Sequence, residues 1–289
     1  MSAPIIDVLD AQQFGLPRTG AIYLIHGSQL ALIESGTATA AEGTLQQLRA
    51  SGGTAVSPAF IFLTHIHLDH AGGAGHLARA FPDAKIVVHE RGARHLANPS
   101  QLIEGVRCAA PDLFPRYGEP LPIPEQQLLP VTGGEVFDLG HEIQLEVIAT
   151  PGHASHHVCY YERTSRTLFT GDAAGNWNNP ADVPLTPPPR FDLARGLQTL
   201  ATLKRLAPTY LAFTHFGMTD DALSHLNDYE RRLIEWFDDI RTLRTSLASD
   251  DIVKQILNRP RYAGLKEAER SVVAMCVRGA ILSIEAGSA

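Results

Sequence analysis

The chain has 289 residues, 44% of them hydrophobic and 19% charged, with 24 Lys plus Arg against 31 Asp plus Glu for a formal net charge of −7. That composition is globular rather than disordered, the length suffices for a large core, and the lack of any basic stripe argues against nucleic acid as a partner. No long apolar run is present and the opening Met-Ser-Ala-Pro-Ile-Ile-Asp lacks the basic and apolar regions of a secretory signal, so no membrane contact and a cytoplasmic location are expected.

In chain order, residues 5–9, 21–25 and 30–34 are short apolar runs punctuated by Gly and Pro, the pattern of strands joined by hairpins. A helix is predicted from Thr44 to Ala50, then a strand Phe60-Ile61-Phe62-Leu63. Residues 64–70 follow directly and read Thr-His-Ile-His-Leu-Asp-His. Imidazole nitrogens and carboxylate oxygens are the donors that divalent first-row metals take, and a turn leaving a strand can aim several of them at one point. Gly75 to Ala80 continues as a helix, and Lys85 to His89 as a strand.

From Asn98 to Pro130 the chain carries Pro99, Pro111, Pro115, Pro120, Pro122, Pro124 and Pro130, which predicts a long irregular segment. Its apolar members Leu102, Ile103, Val106, Leu113, Phe114 and Tyr117 suggest a packed flap forming one wall of a substrate pocket. Further on, His153 lies in Thr150-Pro151-Gly152-His153, Asp172 ends Leu168-Phe169-Thr170-Gly171-Asp172, and His215 ends Tyr210-Leu211-Ala212-Phe213-Thr214-His215. Three strands (59–63, 167–170, 210–213) therefore deliver His or Asp at their carboxyl ends, where open α/β sheets place ligands. A second pocket wall is expected from Asn176 to Phe191, with Trp177, the run Thr186-Pro187-Pro188-Pro189-Arg190 and Phe191 itself.

The remainder is helical. Leu193, Leu197, Leu200 and Leu203 recur at spacings of 4, 3 and 3 within a helix from Asp192 to Leu206. Met218 to Thr245 and Val272 to Ile284 form two more, read as an extension packed on the main body and a candidate homodimer surface. Cys108, Cys159 and Cys276 are too few and too widely spaced for a disulfide framework or a Cys metal site.

Taken in chain order, His65, His67, Asp69, His70, His153, Asp172 and His215 resemble the ligand set of the metallo-β-lactamase superfamily, over roughly residues 20–216. The resemblance implies an α/β fold, a four-layer αβ/βα sandwich over residues 1–217 with a C-terminal helical extension over 218–289. It also implies two divalent metal ions, zinc first and iron or manganese as alternatives. One would be held by His65, His67 and His153, the second by Asp69, His70 and His215, with Asp172 bridging. Two such cations, about 3.5–4 Å apart, share a hydroxide nucleophile and polarise the bond under attack, so the expected activity is hydrolysis of a small ester, lactone or thioester. Asp69 is the candidate catalytic carboxylate, handling a proton as well as holding a cation.

Around this set, His157 is expected behind the ligands, and Glu34 stands where many relatives carry Asp. Metal-dependent β-lactamases place Cys or Ser at the position of Asp172, and lactonases of this fold use a Tyr some twenty residues beyond the bridging Asp, whereas residues 173–200 here contain none. Glyoxalase II-like thioesterases bind glutathione through basic residues of a helical C-terminal domain, for which Arg231, Arg232, Arg241 and Arg244 are available. The alternatives to a hydrolase are a di-iron redox protein, whose relatives usually have Glu where His67 stands and carry a flavin domain, and a non-catalytic metal-binding or sensing module.

Overall fold

The structure, a computed structural model, describes residues 6–52, 56–177, 183–189 and 191–287. The first residue of the predicted strand 5–9, and residues 178–182 and 190 of the predicted second wall, lie outside the described residues.

Two six-stranded sheets face each other. The first contains β1 (Ile6–Asp10), β2 (Ala21–His26), β3 (Leu30–Ile33), β4 (Phe60–Phe62), β5 (Lys85–His89) and β6 (Leu128–Val131), in that spatial order. β1 to β3 run antiparallel, and β3 to β6 are parallel. The second contains β7 (Val136–Asp138), β8 (Gln144–Ala149), β9 (Val158–Glu162), β10 (Thr167–Phe169), β11 (Tyr210–Phe213) and β12 (Gly217–Thr219). Its pairs are antiparallel except β10 with β11.

Because successive side chains of a strand point to opposite faces, each strand feeds two apolar layers. Tyr23, Phe62, Val87, Tyr160, Phe169 and Ala212 point inward and form the core between the sheets. Their neighbours Leu24, Ile61 and Val88 point outward onto Leu45 and Leu48 of α1 (Ala41–Gly52) and Leu77 of α3 (Ala74–Ala80). Between these two helices lies the single turn α2 (Leu68–Ala71). On the other side Cys159, Leu168, Leu211 and Phe213 point outward onto a helical layer, so three apolar layers separate four structural ones.

The predicted irregular segment contains two α-helices. After α4 (Glu90–Ala97), α5 (Ser100–Ala109) runs between Pro99 and Pro111, and α6 (Phe114–Tyr117) holds Pro115 in its first turn. Proline lacks a backbone N–H, but the first-turn N–H groups of a helix have no intrahelical partner anyway, so these prolines delimit short helices rather than forbid them.

The outer layer of the second sheet is built by α7 (Leu193–Leu206), α8 (Ala222–Arg244), α9 (Ser249–Leu257) and α10 (Glu267–Glu285). The helix expected from Met218 starts later, since Met218 and Thr219 pair in β12. Leu200, Leu226, Phe237, Ile256 and Val277 share one apolar cluster with Leu168 and Phe213, so the last three helices bury their faces in the core of the second sheet. Among the described residues no helix is long and apolar enough to cross a membrane.

Candidate metal centre

The carboxyl ends of β4 in one sheet and of β8, β10 and β11 in the other meet at a single rim. β4 leads into Thr64 to His67 and then α2, which carries Asp69 and His70. His153 follows β8, Asp172 follows β10 and His215 follows β11. Gly171, at φ +50°, makes the turn into Asp172, and a Cβ there would lie 2.6 Å from Nε2 of His157 and 2.7 Å from Oγ1 of Thr64. Only glycine fits that position.

Two tyrosines tie the sheets together beside this rim. Tyr160 of β9 donates to the carbonyl of Leu63 at 2.7 Å, and Tyr23 of β2 donates to the carbonyl of Phe213, also at 2.7 Å. Each bond crosses between sheets and ends within two residues of a His of the rim.

The structure brings all seven predicted residues together in two groups, His65, His67, His153 and Asp172, and Asp69, His70 and His215, with candidate donor atoms in each group within 4.8 Å of one another. Asp172, counted with the first group, also faces the second. Its Oδ2 faces Nε2 of His153 at 3.3 Å and of His65 at 3.9 Å, while its Oδ1 faces Nε2 of His70 at 3.2 Å and of His215 at 3.3 Å. Oδ2 of Asp69 lies 3.6 Å from Nε2 of His215 and 3.8 Å from that of His70.

The surrounding hydrogen bonds aim lone pairs inward. Thr64 Oγ1 donates to Glu34 Oε1 at 2.6 Å, and so accepts from Nδ1 of His65 at 3.0 Å. Nδ1 of His153 donates to the carbonyl of Leu185 at 3.0 Å, and Nδ1 of His70 to Glu34 Oε1 at 2.9 Å. With those nitrogens protonated, Nε2 of each ring presents a lone pair to the centre. Nε2 of His65 and of His153 then converge on Nδ1 of His67 at 2.9 and 3.0 Å, where one ring proton satisfies at most one of them. Nε2 of His70 and Oδ1 of Asp172 are fully buried without a hydrogen-bond partner. Converging lone pairs and orphaned acceptors are what a cation satisfies, so the donor set fits metal ions.

Glu34, fully buried and at the left-handed φ of +73°, is the hub of this arrangement. Besides Thr64 and His70 it accepts from Thr214 Oγ1 at 3.0 Å, so one carboxylate fixes residues leaving β4, α2 and β11. The sequence signalled Glu34 only as a departure from Asp; its reach to three segments is a tertiary fact. His157 sits behind the cluster. Its Nε2 accepts the backbone N–H of Asp172 at 3.1 Å, and its Nδ1 pairs with Thr150 Oγ1 at 2.7 Å.

Burial, together with repulsion from the neighbouring imidazoles, holds His65 and His67 well below the ordinary imidazole range; burial likewise depresses His153 and His157. His70 and His215 behave oppositely. Burial opposes their charging, but the nearby carboxylates, Asp172 foremost, outweigh it and raise both. Asp172 is driven well below the usual carboxylate range, its desolvation overcome by His70, His153 and His215.

A cavity of about 670 Å³ opens onto this centre. Leu102, Val106, Leu113 and Tyr117 line it, so the 98–130 segment does form a wall, through α5 and α6. From the second predicted wall, Trp177 lines the cavity, stacked on Phe213 at 5.8 Å, as do Leu185 and Pro187 to Pro189. Phe191 does not. It is 3% exposed and packs in the core against Phe237 of α8, because α7 begins two residues later and draws it under the helical layer. No local signal marked the further contributors, among them Phe14, Leu16 and Arg18 ahead of β2 and Val272, Met275 and Cys276 of α10. Of the four arginines weighed for glutathione, none lines it: Arg231 and Arg232 pair with Asp228, Arg241 with Asp238, and Arg244 with Glu285.

Residues 15–215 match the sequence profile of the metallo-beta-lactamase superfamily. The chain belongs to that superfamily. A metallo-beta-lactamase fold-containing protein of Sulfurisphaera tokodaii is 28% identical over 218 residues, 74% of this chain and 80% of that protein. An atrochrysone carboxyl ACP thioesterase of Aspergillus fumigatus is 30% identical over 175 residues, 60% of this chain and 45% of its own length. The crystal structure of an archaeal metallo-beta-lactamase superfamily protein from Sulfolobus tokodaii superposes with a TM-score of 0.73 at 22% identity, covering 97% of this chain and 99% of that one. Superfamily members are mostly metallo-hydrolases, and this one carries a His/Asp cluster able to bind metal ions at the expected place.

Proposed function

We propose that this chain is a binuclear metallo-hydrolase that cleaves a small ester, lactone or thioester. What carries the assignment is the divided environment of Asp172, whose two oxygens face different pairs of imidazoles at the base of a substrate-sized cavity. His65, His67 and His153 would hold one cation and Asp69, His70 and His215 the other, with Asp172 between them and zinc the first candidate. When bound, such a pair supplies Lewis acidity to the scissile carbonyl and lowers the pKa of a water between the cations.

The chain's own residues do the rest. The side chain of Asp69 is 20% exposed while the imidazole of His70 beside it is fully buried, so its carboxylate reaches the cavity. There it is placed to take a proton from the attacking water and pass it to the leaving group. Glu34 and His157 hold ligands and bridge in register, and the apolar walls exclude bulk water from the carbonyl. A hydrolase accords with the superfamily, and the thioesterase relative supports a thioester among the substrates. The partner implied is a small molecule, neither nucleic acid nor membrane.

Elemental analysis should find close to two metals per chain, and chelation should abolish turnover of an ester, lactone and thioester panel until metal is restored. A firm stoichiometry of one contradicts the two-site arrangement. Metal-loaded protein that hydrolyses nothing, yet consumes oxygen with a reductant, would transfer the assignment to a di-iron redox centre.

A further inference from the structure

Resting on the hydrolase reading, we propose that the substrate carries an extended apolar arm flanking the scissile carbonyl, and that the cavity-lining surfaces of α5 and α10 select it. α5 contains no buried residue, yet its Leu102 and Val106 are half-buried, packing at one side on the small cluster of Leu68, Leu113 and Tyr117 and lining the cavity with the rest of their surface. The same cavity is lined by Val272 and Met275 of α10 and by the Pro187-Pro188-Pro189 segment. At the inner end of the same space stand His67, Asp69, His153, Asp172 and His215.

A polar cofactor-like group would waste such a lining. Apolar side chains dominate the lining, and its polar members Arg18, Gln101 and Arg116 are solvent-exposed, so desolvating a charged group against Leu, Val, Met and Pro costs free energy that few hydrogen bonds return, whereas each methylene transferred there from water is worth roughly a fourfold gain in binding. The basic side chains of α8 that would suit a peptide thiol carrier are engaged with acidic neighbours away from the cavity. A methionine in the wall tolerates arms of differing shape, since its unbranched side chain repacks.

The experiment uses the metal-loaded full chain and two matched series of activated esters. One lengthens the acyl chain from two to ten carbons on a fixed leaving group; the other lengthens the alcohol on a fixed acetyl group. kcat/KM should climb by at least roughly tenfold along one series, and the series that climbs identifies the side of the carbonyl that bears the arm. Titration calorimetry gives a readout free of turnover: decanoate should bind and acetate should not. Val106→Trp, on a half-exposed face where bulk is tolerated, should shift the preference toward short chains and weaken decanoate binding, and Val106→Ala should shift neither in that direction. Hydrolysis with a flat profile in both series, or decanoate binding indifferent to Val106→Trp, overturns the proposal while leaving the hydrolase intact. A blank panel with decanoate bound and displaced by Val106→Trp would instead sink the hydrolase and leave the apolar site standing.

Discussion

The cavity has two unlike sides. Its floor, the seven-residue cluster, is fixed from outside by directional bonds: Glu34, Thr64, Thr214, His157 and the Leu185 carbonyl each hold a ligand or its backbone, and Tyr23 and Tyr160 clamp the sheets beneath them. Its roof, α5 with α6 and the cavity side of α10, meets the cavity mainly with apolar side chains that have no preferred bond direction, with Gln101, Arg116 and Glu269 among them. Chemistry requires atoms placed to fractions of an ångström, and hydrogen bonds supply that. Selection of an apolar substrate requires only shape and desolvation, so a roof of Leu, Val and Met suffices and can vary without disturbing the floor.

The largest effect should come from the one residue that faces both groups of donors. Asp172→Ala should lower metal content at both sites and reduce kcat/KM by at least the roughly 100–1,000-fold that loss of one electrostatic stabiliser costs. Full occupancy in that variant would dismiss the bridge. Glu34→Gln keeps volume but puts an N–H donor among the donors Thr64, Thr214 and His70, and should weaken metal binding by roughly 10–100-fold, as disruption of ligand-supporting partners does. Competition titration with a chromophoric chelator measures it, and unaltered affinity would mean that Glu34 holds the fold alone.

The aromatic pair separates roof from core. Phe191→Ala should cost about 3–5 kcal/mol of stability and spare KM on correctly folded protein, because its ring lies in the helical layer. Trp177→Ala should raise KM for bulky substrates by up to roughly tenfold with metal content intact, because its ring faces the cavity. Exchange of the two phenotypes would reverse the placement of both residues.

The mildest effect is that of pH on metal-free protein. His65, His67, His153 and His157 have depressed folded values, so below the ordinary 6.5 the unfolded chain binds protons that the fold refuses, and stability falls with acidification. The raised values of His70 and His215 act above 6.5: their contribution is complete below that pH and is lost as pH climbs through their folded values. Thermal unfolding should therefore show greatest stability near pH 6.5, declining on both sides, and bound metal should flatten the acid limb only until protons displace it. A stability that rises steadily toward pH 5 would contradict the depressed imidazoles.

Much of the floor was legible in the chain. His and Asp at the ends of apolar runs carry their signal locally, since donor types and the position after a strand are both written in consecutive residues, and all seven meet at one rim. The strands β2, β4 and β5 were equally readable as short apolar runs, because strands buried on both faces are apolar at consecutive positions. Of the strands β7 to β9, which went unremarked, β7 has only three residues, and Gln144, Glu146 and Glu162 break up the apolar runs of β8 and β9. Proline content misdirected the reading of 98–130, where the prolines cap helices. Phe191 and Trp177 are alike as apolar aromatics near proline, and only the path of α7 sends one into the core and leaves the other in the cavity. Glu34, Tyr23 and Tyr160 act at long range, on residues 30, 190 and 97 positions away. Residue types at strand ends and the superfamily resemblance thus named the candidate donors, while the tertiary structure alone decided which atoms hold them, what roofs the cavity and what that roof can admit.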